Sequence, residues 1–132
     1  MNSIHPTEEQ LSDFLSNEDD GVIVMINLLK FKNKIDPDGK TSVELYHRYM
    51  INVGPILESV GGRLLWMGAV DQVFIGAHDD KWDQVLLVEY PSRKSFMKMI
   101  SNSDYQKFHK DREIALETSA LLAGRTLMSG VS

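Results

Sequence analysis

Asn27 and Arg112 are the two side chains whose types and settings best suit the binding of a small organic molecule. Asn27 is the only polar residue in the apolar run at 22–29, and Arg112 interrupts the apolar stripe of a predicted helix. A buried amide can orient a carbonyl or hydroxyl group, and a guanidinium can bind a carboxylate through two parallel hydrogen bonds. The alternatives are that Asn27 satisfies a neighbouring backbone group and that the Arg112 head is solvated at the helix margin.

Two further residues are candidates for proton transfer. His47 lies beside the apolar stripe of a long predicted helix, and imidazoles exchange protons near neutral pH. Glu89 ends an apolar strand, where it could act as a base. The competing interpretations are that His47 is a surface or packing residue and that Glu89 pairs with Arg63 or Arg112. We predict His47 and Glu89 as the acid/base candidates if chemistry occurs.

Aromatic side chains with polar tips are candidates for the wall of a binding pocket. Tyr49 is the strongest of them, because the helix stripe directs it towards the sheet, and Trp66 lies in a predicted strand. Aromatic residues at helical spacing are more often simply part of the core. We predict Tyr49 and Trp66 as ligand-binding walls beside Asn27 and Arg112.

Composition excludes several classes of site. The 132-residue chain has a net charge of -5 and scattered basic residues, which argues against a nucleic-acid partner. It has no cysteine, so disulfides, thiolate zinc sites and cysteine nucleophiles are excluded. The four histidines are far apart in sequence, and no phosphate-cradling glycine loop or nucleophile-elbow motif is present. We predict no metal site and no tightly bound cofactor.

The N-terminus is polar and acidic, without the apolar core of a signal peptide, and no segment has the apolar length needed to cross a bilayer. We therefore expect a cytoplasmic protein that has no membrane partner.

The elements that must position these residues follow from periodicity and end signals. Residues 7–10 fit a Thr-x-x-Gln capping box, Pro55 predicts a kink or break in a long helix, and Ser92 suits a helix N-cap. Ser103 or Asp104 can cap a further helix. The predicted elements are a helix at 7–17, a strand at 22–29, a helix at 42–60, strands at 64–67, 72–76 and 85–90 with a hairpin loop at 77–81, helices at 93–102 and 103–116, and a strand at 124–128.

Apart from one additional predicted strand between the helices, this order matches the split βαβ pattern of a ferredoxin-like α+β sandwich, βαββαβ, whose helices cover one face of an antiparallel sheet. We predict one domain over residues 1–132, with an N-terminal helical extension at 1–20 and the ferredoxin-like core at 21–129.

The second face of this sheet predicts a homodimer. Side chains alternate across a strand, and both faces of the strands at 22–29 and 85–90 are apolar. One exposed face would form an apolar patch larger than a monomer tolerates, whereas sheet-on-sheet pairing buries it. Folding of the terminal segments over this face is the alternative, but the leading helix looks too small to cover it.

Several motifs occur in an order that points to a family: Asn27-Leu28-Leu29-Lys30-Phe31, Gly61-Gly62-Arg63, Glu89-Tyr90-Pro91-Ser92, Ser103-Asp104-Tyr105 and Arg112. Over residues 22–128 the chain resembles the domain-of-unknown-function family 1330, within the dimeric α/β-barrel superfamily. The family often has Ser-Pro-Glu-Tyr at the helical split, where this chain has no proline, and the leading helix lies outside the common core.

The resemblance implies two sheets paired as a dimeric α/β barrel and a cavity between each sheet and its helices. Proteins of this architecture include cofactor-free monooxygenases, lactone isomerases and haem enzymes, so the fold alone does not settle the function. Three hypotheses remain. The first is a pocket for a small carboxylate- or carbonyl-bearing molecule with isomerase- or monooxygenase-like proton abstraction, the second is a non-catalytic binding module, and the third is a purely structural dimer.

Overall fold

A computed structural model describes residues 3–77, 79 and 82–130 of the chain. Across these residues no helix has the length and apolar character required to cross a membrane. The elements in chain order are α1 (Glu8–Ser16), β1 (Ile23–Phe31), α2 (Ser42–Ser59), β2 (Arg63–Ala69), β3 (Gln84–Tyr90), α3 (Arg93–Ile100), α4 (Ser103–Ala115) and β4 (Leu116–Gly124).

The four strands form one antiparallel sheet in the order β2-β3-β1-β4. The central strand β1 is the apolar run recognised in the sequence, and it pairs with β3 on one side and β4 on the other. With α2 between β1 and β2, and α3 and α4 between β3 and β4, this is a ferredoxin-like βαββαβ fold. The prediction of the fold class is confirmed, including the additional N-terminal helix.

The two faces of the sheet differ in exposure. Along β1, Ile23, Met25 and Leu29 are buried, whereas the alternate residues Val24 and Ile26 are partly exposed. The same alternation in β3 buries its residues on the helical side. One face therefore packs against the helices to form the core. We call the other face, which the described residues leave uncovered, the open sheet face.

Helix α2 runs through Pro55 without interruption, so this residue does not break the helix, which was one of the two outcomes predicted for it. Its end is fixed by Gly61, which has a φ of 80°. The amide of Gly61 donates to the carbonyl of Glu58 at 3.0 Å, and the amide of Gly62 donates to the carbonyl of Leu57 at 2.9 Å. These two bonds form a Schellman motif. Gly61 therefore adopts the left-handed conformation that is common at helix C-termini.

Other element ends follow local side-chain chemistry. The capping box of Thr7 and Gln10 is present at the start of α1, and Ser92 caps α3. Asn102, rather than Ser103 or Asp104, caps helix α4. The side-chain oxygen of Asn102 accepts hydrogen bonds from the amides of residues 104 and 105.

Two predicted strands are in error. Residues 72–76 are not a strand, because the pairing of β2 with β3 stops at Ala69 and Gln84. The last strand occupies Leu116–Gly124 instead of 124–128, because pairing with the central strand β1 outweighs the helical propensity of its Leu, Glu and Ala residues. Part of the loop predicted at 77–81, namely His78, Asp80 and Lys81, lies outside the described residues.

Candidate functional site

Helices α2 and α4 bring three phenols and a guanidinium together beneath the sheet. Tyr46 and Tyr49 are three positions apart on the buried side of α2, and Tyr105, His109 and Arg112 follow one face of α4. The hydroxyl oxygens of Tyr49 and Tyr105 lie 3.0 Å apart and share a hydrogen bond. We call Tyr46, Tyr49, Tyr105 and Arg112 the tyrosine–arginine cluster.

A bidentate ion pair also connects the two helices. Nε and Nη2 of Arg48 each donate to an oxygen of the Asp111 carboxylate at 2.7 Å. A fork-to-fork contact of this kind has restricted geometry as well as favourable energy. It therefore links α2 to α4 on the exposed side of the helix pair.

Arg112 is buried, with 6% of its surface exposed, yet none of the ion pairs among the described residues includes it. Its Nη1 donates a long hydrogen bond of 3.5 Å to the carbonyl oxygen of Ile4, and the Tyr46 phenol lies beside it. A buried cation without an anion is unfavourable by several kcal/mol as an order of magnitude. The site is therefore electrostatically suited to an anion.

The N-terminal segment at residues 3–5 covers this cluster. The Ser3 amide donates to the hydroxyl of Thr118 at 3.0 Å. The Ser3 carbonyl accepts from the amide of Ser119 at 2.7 Å and from its hydroxyl at 2.6 Å. These bonds attach the segment to β4 and place the Ile4 carbonyl over the guanidinium of Arg112.

His109 and Glu113 form a dyad at the edge of the cluster. Nδ1 of His109 lies 3.0 Å from Oε1 of Glu113, and Nε2 of His5 lies 3.3 Å from the other carboxylate oxygen. The His109 ring packs against Tyr105 and Tyr49, with centroid separations of 5.5 and 6.4 Å. A carboxylate that accepts from Nδ1 of a histidine orients the ring and leaves Nε2 available as a base.

The pKa values of the cluster follow from its burial. Burial raises the pKa of Tyr46 to about 12, raises the pKa of Tyr49 well above its ordinary value and raises the pKa of Tyr105. The positive charge of Arg112 acts against each of these increases. Burial lowers the pKa of His109, although the hydrogen bond to Glu113 opposes this change. The phenols therefore stay protonated at neutral pH and can donate hydrogen bonds.

The structure brings together only part of the predicted site. Tyr49 and Arg112 belong to the cluster, but His47 is exposed on the other side of α2. Glu89 is on the open sheet face, where its carboxylate accepts from Nε of Arg63 at 2.9 Å. That pairing is the alternative considered for Glu89 from the sequence.

Trp66 also lies on the open sheet face, away from Tyr49. A register shift between Leu64 and Trp66 inserts one extra residue into β2, so Trp66 pairs with Leu87 of the open face. An extra residue in one strand reverses the side to which the following residues point. This bulge is the reason that Trp66 and Tyr49 do not form one wall.

Asn27 lies on the helical face of the sheet, between Leu86 of β3 and Leu121 of β4. Its side-chain nitrogen donates to the carbonyl of Met25 at 3.3 Å. This is the arrangement expected of an amide that satisfies a neighbouring backbone group.

The sequence interpretation missed Tyr105, His109, Glu113 and His5. Tyr105, His109 and Arg112 are spaced by four and three residues, which places them on one helical face, and His109 and Glu113 have the i,i+4 spacing of a helix pair. That pattern was the available signal for the dyad. The contact of His5 with Glu113 joins residues more than a hundred positions apart, so no local pattern could reveal it.

Two surface clefts lie outside the cluster. One of about 580 Å³ is lined by Lys30, Phe31 and Asp83 among others, and one of about 560 Å³ includes Ile35 and Thr41. Both are open to solvent, and neither includes a residue of the tyrosine–arginine cluster. Among the residues with described positions, no three His, Asp or Glu side chains are placed to hold a metal ion.

Comparison with known proteins gives one sequence family and many structures of the same fold. The profile of the domain of unknown function DUF1330 matches residues 40–125. No curated protein is significantly similar in sequence. A protein of unknown function from Rhodopseudomonas palustris is 35% identical, with a TM-score of 0.90 over 98% of this chain and 100% of its own.

More distant structures share the fold alone. A dimeric protein of unknown function and ferredoxin-like fold from Bacteroides fragilis is 10% identical, with a TM-score of 0.56, and covers 80% of this chain and 97% of its own. The hydroxynitrile lyase from Passiflora edulis is 11% identical, with a TM-score of 0.59, and covers 83% of this chain and 97% of its own.

Proposed function

The chain belongs to the DUF1330 family, and from that premise we propose that it is a homodimer that binds a small organic carboxylate at Arg112. The observation that carries this proposal is the burial of a guanidinium for which the described residues supply no carboxylate. Guanidinium and carboxylate groups match in shape and charge. A bound carboxylate would supply the missing anion.

The surroundings of Arg112 favour a small ligand with a short organic body. The phenols of Tyr46, Tyr49 and Tyr105 are next to the guanidinium and can donate hydrogen bonds to further oxygens of a ligand. Their rings offer apolar surface to its carbon atoms. A site of this kind, with a few polar groups among aromatic rings, is typical of small-molecule binding.

The Ile4 carbonyl is the group that a ligand would replace. Its 3.5 Å hydrogen bond to Nη1 of Arg112 is at the long limit for such a bond. A carboxylate makes shorter, charge-assisted bonds to the same donor. Binding therefore requires the segment at residues 3–5 to move away from Arg112.

The open sheet face supports the homodimer. Trp66, Leu87, Ile26 and Leu122 form a row of apolar side chains across all four strands, since each is the register partner of the next. Trp66 is 54% exposed and Leu122 is 50% exposed in the single chain. The Bacteroides fragilis protein with this fold is described as dimeric. A second copy would cover the row by pairing sheet against sheet.

A purely structural dimer is the second candidate. It is favoured by Asn27, whose amide bonds to its own strand, and by the present cover of Arg112 by Ile4. This candidate predicts no specific ligand, whereas our proposal predicts one that requires Arg112.

A thermal-shift screen of small carboxylates tests the proposal, with the matching primary amides as uncharged controls. A ligand at about 100 times its Kd stabilises the folded protein by about 2.7 kcal/mol. We expect stabilisation by carboxylates and not by their amides. The stabilisation should be lost in Arg112→Met and kept in Arg125→Met, which removes an exposed arginine. Equal stabilisation of wild type and Arg112→Met would show that the proposal is wrong.

A further inference from the structure

We propose that His109, oriented by Glu113, is the base of the cluster and removes a proton from the carbon next to the carbonyl of a bound oxo acid. This inference rests on the proposed carboxylate site at Arg112 and adds a reaction to it. It gives His109 the role that the sequence suggested for His47 or Glu89. His47 is exposed on the outer side of α2, and Glu89 is paired with Arg63 on the other face of the sheet.

The dyad has the geometry that a histidine base needs. The Glu113 carboxylate lies 3.0 Å from Nδ1 of His109, which fixes the tautomer whose lone pair is on Nε2. The ring is largely buried and packs against Tyr105 and Tyr49, with centroid separations of 5.5 and 6.4 Å. Such packing reduces the rotation of the ring and keeps the base in one position.

The spacing of His109 and Arg112 defines the substrate class. Residues three apart on a helix have Cβ atoms about 5–6 Å apart on the same face. A carboxylate held by Arg112 would thus place a carbon one or two bonds further along the ligand near His109. Small oxo acids have an acidic C–H at that distance from the carboxylate. We therefore infer that the substrate is an oxo acid of a few carbon atoms.

The buried phenols provide the second element of the reaction. When the C–H bond breaks, its proton moves to Nε2 of His109 and its electron pair forms a C=C bond. The carbonyl π electrons move to oxygen and give an enolate. The Tyr49 and Tyr105 hydroxyls are bonded to each other, so one donates and the other keeps a proton for the enolate oxygen. Return of the proton to carbon completes an exchange or an isomerisation, and no oxidant is required.

Hydrogen exchange in D2O tests the inference directly. The probes are 2-oxobutanoate and 4-oxopentanoate, each of which has an exchangeable C–H two bonds from the carboxyl carbon. Binding is measured by calorimetry and the incorporation of deuterium by proton NMR. We expect the wild type to bind at least one probe and to accelerate its exchange. His109→Gln should keep binding and lose about 10²–10⁴-fold in rate. Lys110→Gln, an exposed neighbour on α4, should match the wild type.

The outcomes separate the two proposals. Binding without exchange in the wild type, or equal exchange by wild type and His109→Gln, overturns the role of His109 and leaves a binding protein. Failure of both probes to bind contradicts the carboxylate site, and the reaction is then rejected with it.

The pH dependence of the exchange tests Glu113 as a positioning residue. The groups that face His109 are Glu113 and Arg112 of α4, the phenols of Tyr49 and Tyr105, and His5 of the N-terminal segment. The hydrogen bond that His109 donates to Glu113 raises the pKa of His109 against the effect of burial. Glu113→Gln should therefore shift the half-maximal rate to lower pH. An unchanged midpoint would overturn the positioning role.

Discussion

The hydroxyl oxygens of Tyr49 and Tyr105 lie 3.0 Å apart in the buried interior, where their hydrogen bond joins α2 to α4. Removing either hydroxyl leaves the other without this partner, which costs about 1–3 kcal/mol for a buried group. We expect Tyr49→Phe and Tyr105→Phe each to lower the free energy of unfolding by about that amount. The double variant should lose less than the sum, with a coupling of about 1 kcal/mol in urea unfolding. Strict additivity would show that the two hydroxyls do not interact.

All four tyrosines of the chain are buried, and burial raises the pKa of each. A phenol with a raised pKa keeps its proton up to a higher pH in the folded state than in the unfolded state. The stability it contributes is complete below pH about 10, the pKa of an unfolded tyrosine, and is lost as the pH rises towards the folded pKa. For Tyr46 that window extends from about 10 to about 12.

We therefore expect the free energy of unfolding to fall above pH 10 by up to about 1.4 kcal/mol per pH unit for each tyrosine. Absorbance at 295 nm should report tyrosinate in a single step that coincides with the loss of far-ultraviolet circular dichroism. A tyrosine that ionises near pH 10 while the circular dichroism is unchanged would contradict its burial.

The sequence was sufficient for those features that depend on local patterns. The fold class followed in part from the apolar pattern of β1. Helix starts followed from the capping box at Thr7 and from the Pro91-Ser92 junction. Each of these signals depends only on neighbouring residues. The position of Trp66 depends on a bulge in β2, which is set by pairing with β3. Its register could not be read from β2 alone.

Only part of the candidate site could be predicted from the sequence, for the same reason. Arg112 interrupts the apolar stripe of α4, and Tyr49 belongs to the apolar stripe of α2. Both positions can therefore be recognised from the sequence pattern. The polar residues of α4 resemble a solvated face, where an i,i+4 pair such as His109 and Glu113 is common. The contact of Ile4 with Arg112 depends on the whole topology.

Because the charge of Arg112 is buried, we expect its removal to abolish ligand binding without lowering the stability of the fold. Arg112→Met keeps much of the side-chain volume and removes a cation that lacks an anion. Replacement of buried ionic groups by apolar residues is often neutral or stabilising by about 1–4 kcal/mol. We expect this variant to be at least as stable as the wild type in urea, although it no longer binds carboxylates.

Leu45→Ala is the control for ordinary core packing. Leu45 is almost fully buried on the same helix as Tyr46, and its truncation should cost about 2–5 kcal/mol. If Arg112→Met were as destabilising as Leu45→Ala, the guanidinium would be a structural element rather than a ligand group.

Gly61 is required by the backbone at the end of α2. Its φ of 80° lies in the left-handed region, and a Cβ added there would be 2.9 Å from Cγ of Pro91. Gly61→Ala should lower the free energy of unfolding by about 1–2 kcal/mol. Gly130→Ala, where no atom lies within 4 Å of the added Cβ, is the matched control and should change little. An equal effect of the two substitutions in thermal unfolding would refute this role of Gly61.

The apolar row on the open sheet face predicts a dimer that a single charge can disrupt. Leu87 is central in this row, between Trp66 of β2 and Ile26 of β1. In a sheet-on-sheet interface Leu87→Glu would bury an unpaired carboxylate, which costs several kcal/mol. In the single chain the same side chain can reach solvent. We therefore expect this variant to sediment as a monomer at micromolar concentration, where the wild type sediments as a dimer.

Ile51→Glu is the matched control for this substitution. Ile51 is exposed on the outer side of α2, away from the open sheet face, so the same apolar-to-charged change should leave the dimer intact. Circular dichroism would verify that both variants retain the fold. A wild type that sediments as a monomer, or two variants that both remain dimeric, would contradict the sheet-to-sheet interface.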